Sequence, residues 1–376
     1  MLQPTFLISF GVAVRAWPQY AVQITKDQVY AQGLIGCPRG YDDDPDQTCR
    51  RMDLKLDLYE PVGAPTGQVK PAIIFAHGGA FFFGKKDDQQ LIGSSIYFAR
   101  AGFVAASIDY RLALHNGTYP GAKDDPDEPK ATPPQDAPVL REKPRLRLRA
   151  EQSRHLARDE RKLKEEDSVD VWTPLYARVY PAVRDMKAAV RWLKYHAADY
   201  GVDRNKIAVA GHSAGGGMAL AAGITFDGDF TDELTDEQDP TLASTHRTET
   251  STVRAIYTAW STGITVEMAK QHDPNQVSRY SSRNPPIIEF HGDEDHIVPL
   301  EDALAVQQEY DATGVKYELH VLEGCHHGGF AYGCETLSTE TCKFRSDLPE
   351  YQQYCASFDY MALPFIMDVF GIHDSL

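Results

Sequence analysis

Apolar positions recur along this chain in two rhythms. Leu54-Lys-Leu-Asp-Leu-Tyr59 alternates apolar and polar residues with period two, which predicts a half-exposed strand. Ala72-Ile-Ile-Phe-Ala76 is apolar throughout, the pattern of a parallel strand buried on both faces. Phe103–Ile108, Ile207–Ala210, Ala255–Ala259 and Pro286–Phe290 repeat that pattern, and Tyr317–Leu322 alternates again, as at a sheet edge. The second rhythm is helical. From Pro181 to Tyr200, Met186, Val190, Leu193 and Ala197 recur on one face, with Pro181 suited to the first turn and Gly201 to the C-terminal cap. Strands alternating with helices predict an α/β fold, with a mostly parallel central sheet of about eight strands covered by helices on both faces. Functional residues in such a sheet belong in the loops at the carboxyl ends of its strands.

One stretch breaks the rhythm. Residues 116–170 are rich in Pro, Asp, Glu, Lys and Arg, and 151–167 has the composition of a charged helix. It separates 1–115 from 171–376, which together form the expected core. It reads either as a solvated insertion or as a lid beside the site. The acidic stretch Asp227–Asp239 lacks the ligand spacing and glycine of an EF-hand and is expected to be a solvated loop. No internal repeat is visible.

Composition narrows the function classes. Of 376 residues, 42% are hydrophobic, enough for one large core. The formal net charge of −16 argues against nucleic acid and anionic membrane surfaces as partners. No apolar run of about 18 residues exists, so no transmembrane helix is expected. Phe6–Trp17 has the length of a signal-peptide core. No Lys or Arg precedes it and no small-x-small site follows, so a packed N-terminal segment is the competing reading. Among six cysteines, Cys37 and Cys49 bracket an acidic loop, while Cys325, Cys334, Cys342 and Cys355 crowd the C-terminal region. Pairing in an oxidising compartment is expected, hence a secreted or periplasmic protein. Free thiols in a cytoplasmic protein are the alternative, and zinc lacks its C-x2-C spacing.

Four motifs carry chemistry, each just after an expected strand. Gly211-His-Ser-Ala-Gly215 is a G-x-S-x-G pentapeptide between an apolar strand and a small-residue helix. That context lifts Ser213 above the sheet as a nucleophile. His77-Gly-Gly-Ala-Phe81 offers backbone N–H groups for an oxyanion, from Gly79 and Ala80 with a third from Ala214. Gly78 shapes the turn. His291-Gly-Asp-Glu-Asp295 offers three carboxylates to orient a histidine, with Asp295 preferred to Asp293 and Glu294. Gly324-Cys-His-His-Gly-Gly-Phe330 offers two adjacent bases, with His327 preferred to His326. Phe81, Phe82 and Phe83 can line an acyl pocket or pack in the core. Trp260 ends a strand on the same side and is a candidate substrate contact. Asp109 and Arg111 read as a structural charge pair, and His212 as a packing residue.

These residues resemble the carboxylesterase and lipase branch of the α/β-hydrolases, near the hormone-sensitive-lipase-like and feruloyl-esterase-like groups. The likeness covers most of 70–112 and 177–330, and includes Ser107-Ile-Asp-Tyr-Arg-Leu112. It implies the α/β-hydrolase fold, with the charged insertion as a possible lid. It also implies a triad of Ser213, Asp295 and His327, in the chain order of that fold. The expected activity is cofactor-free and metal-free hydrolysis of a small-molecule or polymeric ester by a monomer or homodimer. Short aliphatic, aromatic and polymeric esters all fit. A prolyl-oligopeptidase-type peptidase lacks its large N-terminal region here, and a non-catalytic receptor-like module would not need the complete triad. Ala80 stands where relatives commonly have a third glycine. About sixty residues separate the arginine strand from the next helix, where relatives have a short loop.

Overall fold

The computed structural model describes residues 20–37, 49–65, 67, 69–119, 172–328 and 358–372, with side chains omitted at 172–174. Phe6–Trp17, most of the charged insertion, Gly329, Phe330, Cys334, Cys342 and Cys355 lie outside the described residues. Eight strands form one sheet: β1 (Ala21–Ile35), β2 (Arg50–Val62), β3 (Lys70–Ala76), β4 (Val104–Ile108), β5 (Val202–His212), β6 (Ala255–Ala259), β7 (Ile287–Gly292) and β8 (Tyr317–Leu322). The helices are α1 (Gln89–Arg100), α2 (Trp172–Tyr195), α3 (Ala197–Tyr200), α4 (Ala214–Ile224), α5 (Ile264–Gln271), α6 (Leu300–Thr313) and α7 (Asp359–Val369). The strand order is β1-β2-β4-β3-β5-β6-β7-β8. The β1–β2 and β2–β4 pairs are antiparallel, and β4 through β8 run parallel.

Strand alternation divides the core. Ala72, Ile74 and Ala76 face the layer built from α2, α4 and α5, with Val183, Met186, Val190, Met218 and Val266. Ile73 and Phe75 face the opposite layer, with Phe98 of α1 and Leu363 and Ile366 of α7. All strands expected from the pattern are present. β1 is an addition. Register irregularities at Thr25/Gln28 and Val29/Ala31 interrupt its alternation. The disulfide Cys37–Cys49 joins the chain leaving β1 to the chain entering β2.

Helix α2 differs from its expectation. It begins at Trp172, so Pro181 lies inside it rather than in its first turn. Tyr176, Val179 and Tyr180 are buried, and this packing extends the helix upstream of the proline. Its second face is buried as well. Arg184, Lys187, Arg191 and Lys194 follow at helical spacing and all are buried. Arg184 pairs with Asp239 at 2.6 Å. Lys187 Nζ donates to the carbonyls of Phe226 and Asp229 at 2.5 and 2.9 Å. Arg191 reaches the Thr245 carbonyl at 3.1 Å, and Lys194 the Thr252 carbonyl at 2.7 Å. These cations bind the irregular segment between α4 and β6 to the helix. The acidic stretch 227–239 is therefore docked through Phe230, Leu234 and Asp239, which are buried, while Asp227, Asp232, Glu233, Asp236 and Glu237 stay exposed as expected. Burial alone would raise Asp239, but Arg184 and Arg111 hold it down at about 2.

In place of the expected Asp109–Arg111 pair, each residue takes another partner. Arg111, fully buried, forks onto Asp185 of α2, with Nη2 at 2.6 Å and Nε at 3.0 Å. Gly33 of β1 leaves room for it, since a Cβ there would lie 2.5 Å from Arg111 Nε. Asp109 instead accepts the Lys86 backbone N–H at 2.7 Å. Asp109 and Arg111 both lie beyond the end of β4 at Ile108, and Asp185 of α2 is the carboxylate within reach of the Arg111 guanidinium.

Candidate active site

Strand β5 ends at His212 and the chain turns at Ser213 into α4. Ser213 has φ 54° and ψ −125°, a conformation a non-glycine residue keeps only when its surroundings impose it. They do so by contact. A Cβ on Gly215 would lie 2.2 Å from the Ala76 carbonyl oxygen, and one on Gly211 would lie 2.4 Å from the Gly215 carbonyl. Only bare backbone fits there, so the elbow rests directly on the end of β3. The Ser213 N–H donates to the Ala259 carbonyl at 3.0 Å.

The structure brings Ser213, His327 and Asp295 into one line. His327 Nε2 lies 2.9 Å from Ser213 Oγ, and its Nδ1 lies 2.7 Å from Asp295 Oδ2. Asp295 Oδ1 accepts the backbone N–H groups of Ile297 and Val298, both at 2.9 Å. The turn after β7 and the loop after β8 are closed against each other. Asp293 Oδ1 accepts the Gly324 N–H at 2.6 Å, and the Glu294 N–H donates to the Cys325 carbonyl at 3.1 Å. His326 Nδ1 donates to the Glu294 carbonyl at 2.8 Å. The neighbours of Asp295 and His327 thus bind loop to loop, while Asp295 and His327 bind each other.

The glycine-rich loop after β3 is held at both ends. The Gly78 N–H donates to His212 Nε2 at 3.2 Å. That bond requires a neutral His212, and burial with the neighbouring rings of His77 and His327 pushes it down to about 3. His212 therefore links the elbow to this loop, a role beyond packing. His77 Nδ1 donates to the Gly78 carbonyl at 2.7 Å, and its ring stacks 4.2 Å from Tyr110. Beyond the turn, Lys86 Nζ reaches Asp57 at 2.7 Å and Asp27 at 3.1 Å, anchoring the loop to the sheet edge. With Gly78 engaged, the backbone N–H groups of Gly79, Ala80 and Ala214 donate to no acceptor among the described residues. Ala80 takes a left-handed φ of 51°, a conformation that glycine adopts most readily.

Phe81 packs in the core, edge-on to Tyr110 at 6.4 Å. Phe82 is half-buried, with the Arg178 guanidinium 4.9 Å from its ring centre. Trp260, buried and with φ 40°, stands edge-on to His327 at 6.3 Å and to His212 at 6.1 Å. Sequence reasoning assigned no role to His291, the first residue of the Asp295 motif, nor to Glu289; both are buried behind Asp295. A carboxylate in the apolar run Ile287–Phe290 was the available signal.

The BD-FAE family model matches residues 56–127 and 175–310. Esterase LipC of Mycobacterium tuberculosis is 24% identical over 305 residues, which cover 77% of this chain and 58% of that protein. The chain thus spans less than two thirds of that relative's length. A thermophilic esterase from the planctomycete Thermogutta terrifontis has the same fold, with a TM-score of 0.52 and 23% identity over 94% of each chain. Its propionate-bound form gives a TM-score of 0.53 and 23% identity over 96% of this chain and 97% of that one. The same esterase phosphorylated by paraoxon gives 0.52 and 23%, over 93% and 98%.

Proposed function

The chain belongs to the BD-FAE family, and from that premise we propose that it is a serine carboxylic-ester hydrolase of the α/β-hydrolase fold. The observation that carries this reading is the continuous line from Ser213 Oγ through His327 to Asp295, at 2.9 and 2.7 Å. His327 Nε2 takes the hydroxyl proton as Ser213 Oγ attacks the ester carbonyl carbon. The oxyanion so formed is held by the N–H groups of Gly79, Ala80 and Ala214. Asp295 keeps the Nδ1–H tautomer and balances the imidazolium. The intermediate collapses, the C–O bond to the alcohol breaks, and His327 returns the proton to the leaving oxygen. Water then repeats the sequence on the acyl-enzyme, releasing the acid and restoring Ser213.

Phe82 and Trp260 border the acyl side of this site, while Phe81 supports the loop from within. The propionate bound by the Thermogutta esterase makes short acyl esters the first class to assay. The Cys37–Cys49 disulfide supports a secreted or periplasmic setting.

A fluorophosphonate probe tests the reading. It should label the protein at Ser213 and abolish p-nitrophenyl acetate hydrolysis, and Ser213→Ala should take no label. Labelling elsewhere, or esterase activity that survives in Ser213→Ala, would overturn it. A panel of acyl chain lengths, methyl ferulate and a polyester film then identifies the ester class.

A further inference from the structure

Behind Asp295, β7 carries two polar side chains with no accessible surface, Glu289 and His291. Glu289 is surrounded by donors. Its Oε1 accepts the N–H and hydroxyl of Ser261 at 3.2 and 2.9 Å, and its Oε2 accepts the Tyr317 hydroxyl at 2.5 Å. All three contacts suit an acceptor-only carboxylate. His291 faces an acceptor at each ring nitrogen. Nδ1 lies 3.2 Å from Glu289 Oε1, and Nε2 lies 2.9 Å from the Val298 carbonyl oxygen. A neutral imidazole has one N–H and would turn a lone pair toward one of these oxygens. Beside an ionised Glu289, the doubly protonated ring satisfies both.

We propose that Glu289 and His291 form a buried carboxylate–imidazolium pair that positions the triad, fixing the Asp295 turn and offsetting part of the Asp295 charge at His327. The inference rests on the triad reading above. The mechanical part is a closed clasp. His291 holds the Val298 carbonyl, while the Val298 N–H holds Asp295 Oδ1 at 2.9 Å, so Oδ2 is left to face His327. The electrostatic part follows from distance, since His291 Nε2 is 3.7 Å from that same Oδ2. The titratable groups facing His291 are Glu289 on its own strand and Asp295 on the following turn. Tyr317 of β8 acts through Glu289, and His327 through Asp295. Burial pulls His291 down, but the bond and charge of Glu289, the Val298 carbonyl and Asp295 together hold it above its ordinary value.

Ring ¹H–¹⁵N spectra of the whole protein test the charge. One histidine should keep protons on both ring nitrogens at pH values well beyond the ordinary histidine range. That signal should vanish in His291→Gln and lose its second proton in Glu289→Gln. Tyr317→Phe, which removes one donor to Glu289, should shift it and serves as the assignment if the other variants do not fold. A wild-type spectrum without such a histidine overturns the proposal. Kinetics test the positioning. His291→Gln should lower kcat on the order of 10²-fold with KM nearly unchanged. The acid limb of kcat/KM should move to higher pH, because a cation opposing protonation at His327 is gone. The double variant with Glu289→Gln should be no worse than either single variant. A folded His291→Gln enzyme with an unmoved acid limb overturns the proposal. Fluorophosphonate labelling of the wild type is independent of His291, so failure of the triad reading would be seen separately.

Discussion

At the residue scale the site separates near-equivalent side chains by what each one touches. His326 and His327 are adjacent, yet His326 bonds the Glu294 carbonyl and only His327 reaches Ser213. Replacing Ser213 or His327 by Ala should each lower kcat by roughly 10⁴–10⁶-fold, with the double variant hardly worse, because the triad acts as a unit. His326→Ala should retain most of the activity. The carboxylates divide the same way. Asp295→Asn should cost roughly 10⁴-fold by favouring the wrong imidazole tautomer. Asp293→Asn should cost far less, because an amide oxygen can still accept the Gly324 N–H. Steady-state kinetics on one chromogenic ester checks all six variants, and a larger loss at Asp293 than at Asp295 would reverse the assignment of the acid.

At the scale of elements, single polar contacts fix how strands, loops and helices meet. His212 joins the elbow to the glycine-rich loop through the Gly78 N–H. His212→Ala should loosen that loop and lower kcat by roughly 10²-fold, the scale of losing one oxyanion donor. Unchanged kcat would show that the loop holds its shape without His212. Farther from the chemistry, Arg111 and Asp185 join the chain after β4 to α2 with almost no exposure on either side. Arg111→Leu alone should destabilise by about 3–5 kcal/mol, because it leaves Asp185 charged and buried. Adding Asp185→Leu should recover much of that loss. Urea unfolding of the two variants decides it, and a double variant weaker than the single one would show that the pair contributes net stability.

At the scale of the whole molecule, acid should weaken the fold through buried neutral imidazole. Burial pushes His77 down to about 4, and its ring is almost inaccessible. An unfolded histidine titrates near 6.5, so between these values the unfolded chain binds more protons. The contribution of His77 is full above about pH 6.5 and is lost as pH falls toward about 4. The urea midpoint should therefore drop from pH 7 to pH 5, and drop less in His77→Asn. Equal drops would show His77 to be irrelevant to acid stability. The insertion offers a second test at this scale. Thr118, near its start, donates to Asp239 at 2.6 Å, and α2, which follows it, packs Tyr176, Val179 and Tyr180 into the core. Deleting roughly 121–167 with a short Gly/Ser bridge should leave a folded enzyme, since loop length changes closure entropy only slowly. If the segment acts as a lid, its removal should raise kcat/KM for a bulky aromatic ester relative to acetate. An unchanged ratio in a folded variant would make the segment a bystander.

The sequence by itself determined what depends on local pattern. β2 through β8 are legible because burial on one or both faces of a strand leaves alternating or unbroken apolar runs. Ser213 was legible because a nucleophile elbow needs glycines at set positions in a strand–turn–helix context. β1 was not legible, because its register irregularities break the alternation a strand is read by. The start of α2 was misplaced because Pro181 has the sequence signature of a first turn, while burial of Tyr176 and Tyr180 carries the helix past it. Only the tertiary structure decided that Arg184, Lys187, Arg191 and Lys194 line a buried seam rather than a solvated face. A cation's burial depends on carbonyl groups supplied by a segment distant in sequence. The same holds for Arg111 choosing Asp185, His212 accepting from Gly78, and Glu289 lying beneath Asp295. Each is a pairing between residues that the path of the chain, and no local periodicity, brings within hydrogen-bond distance.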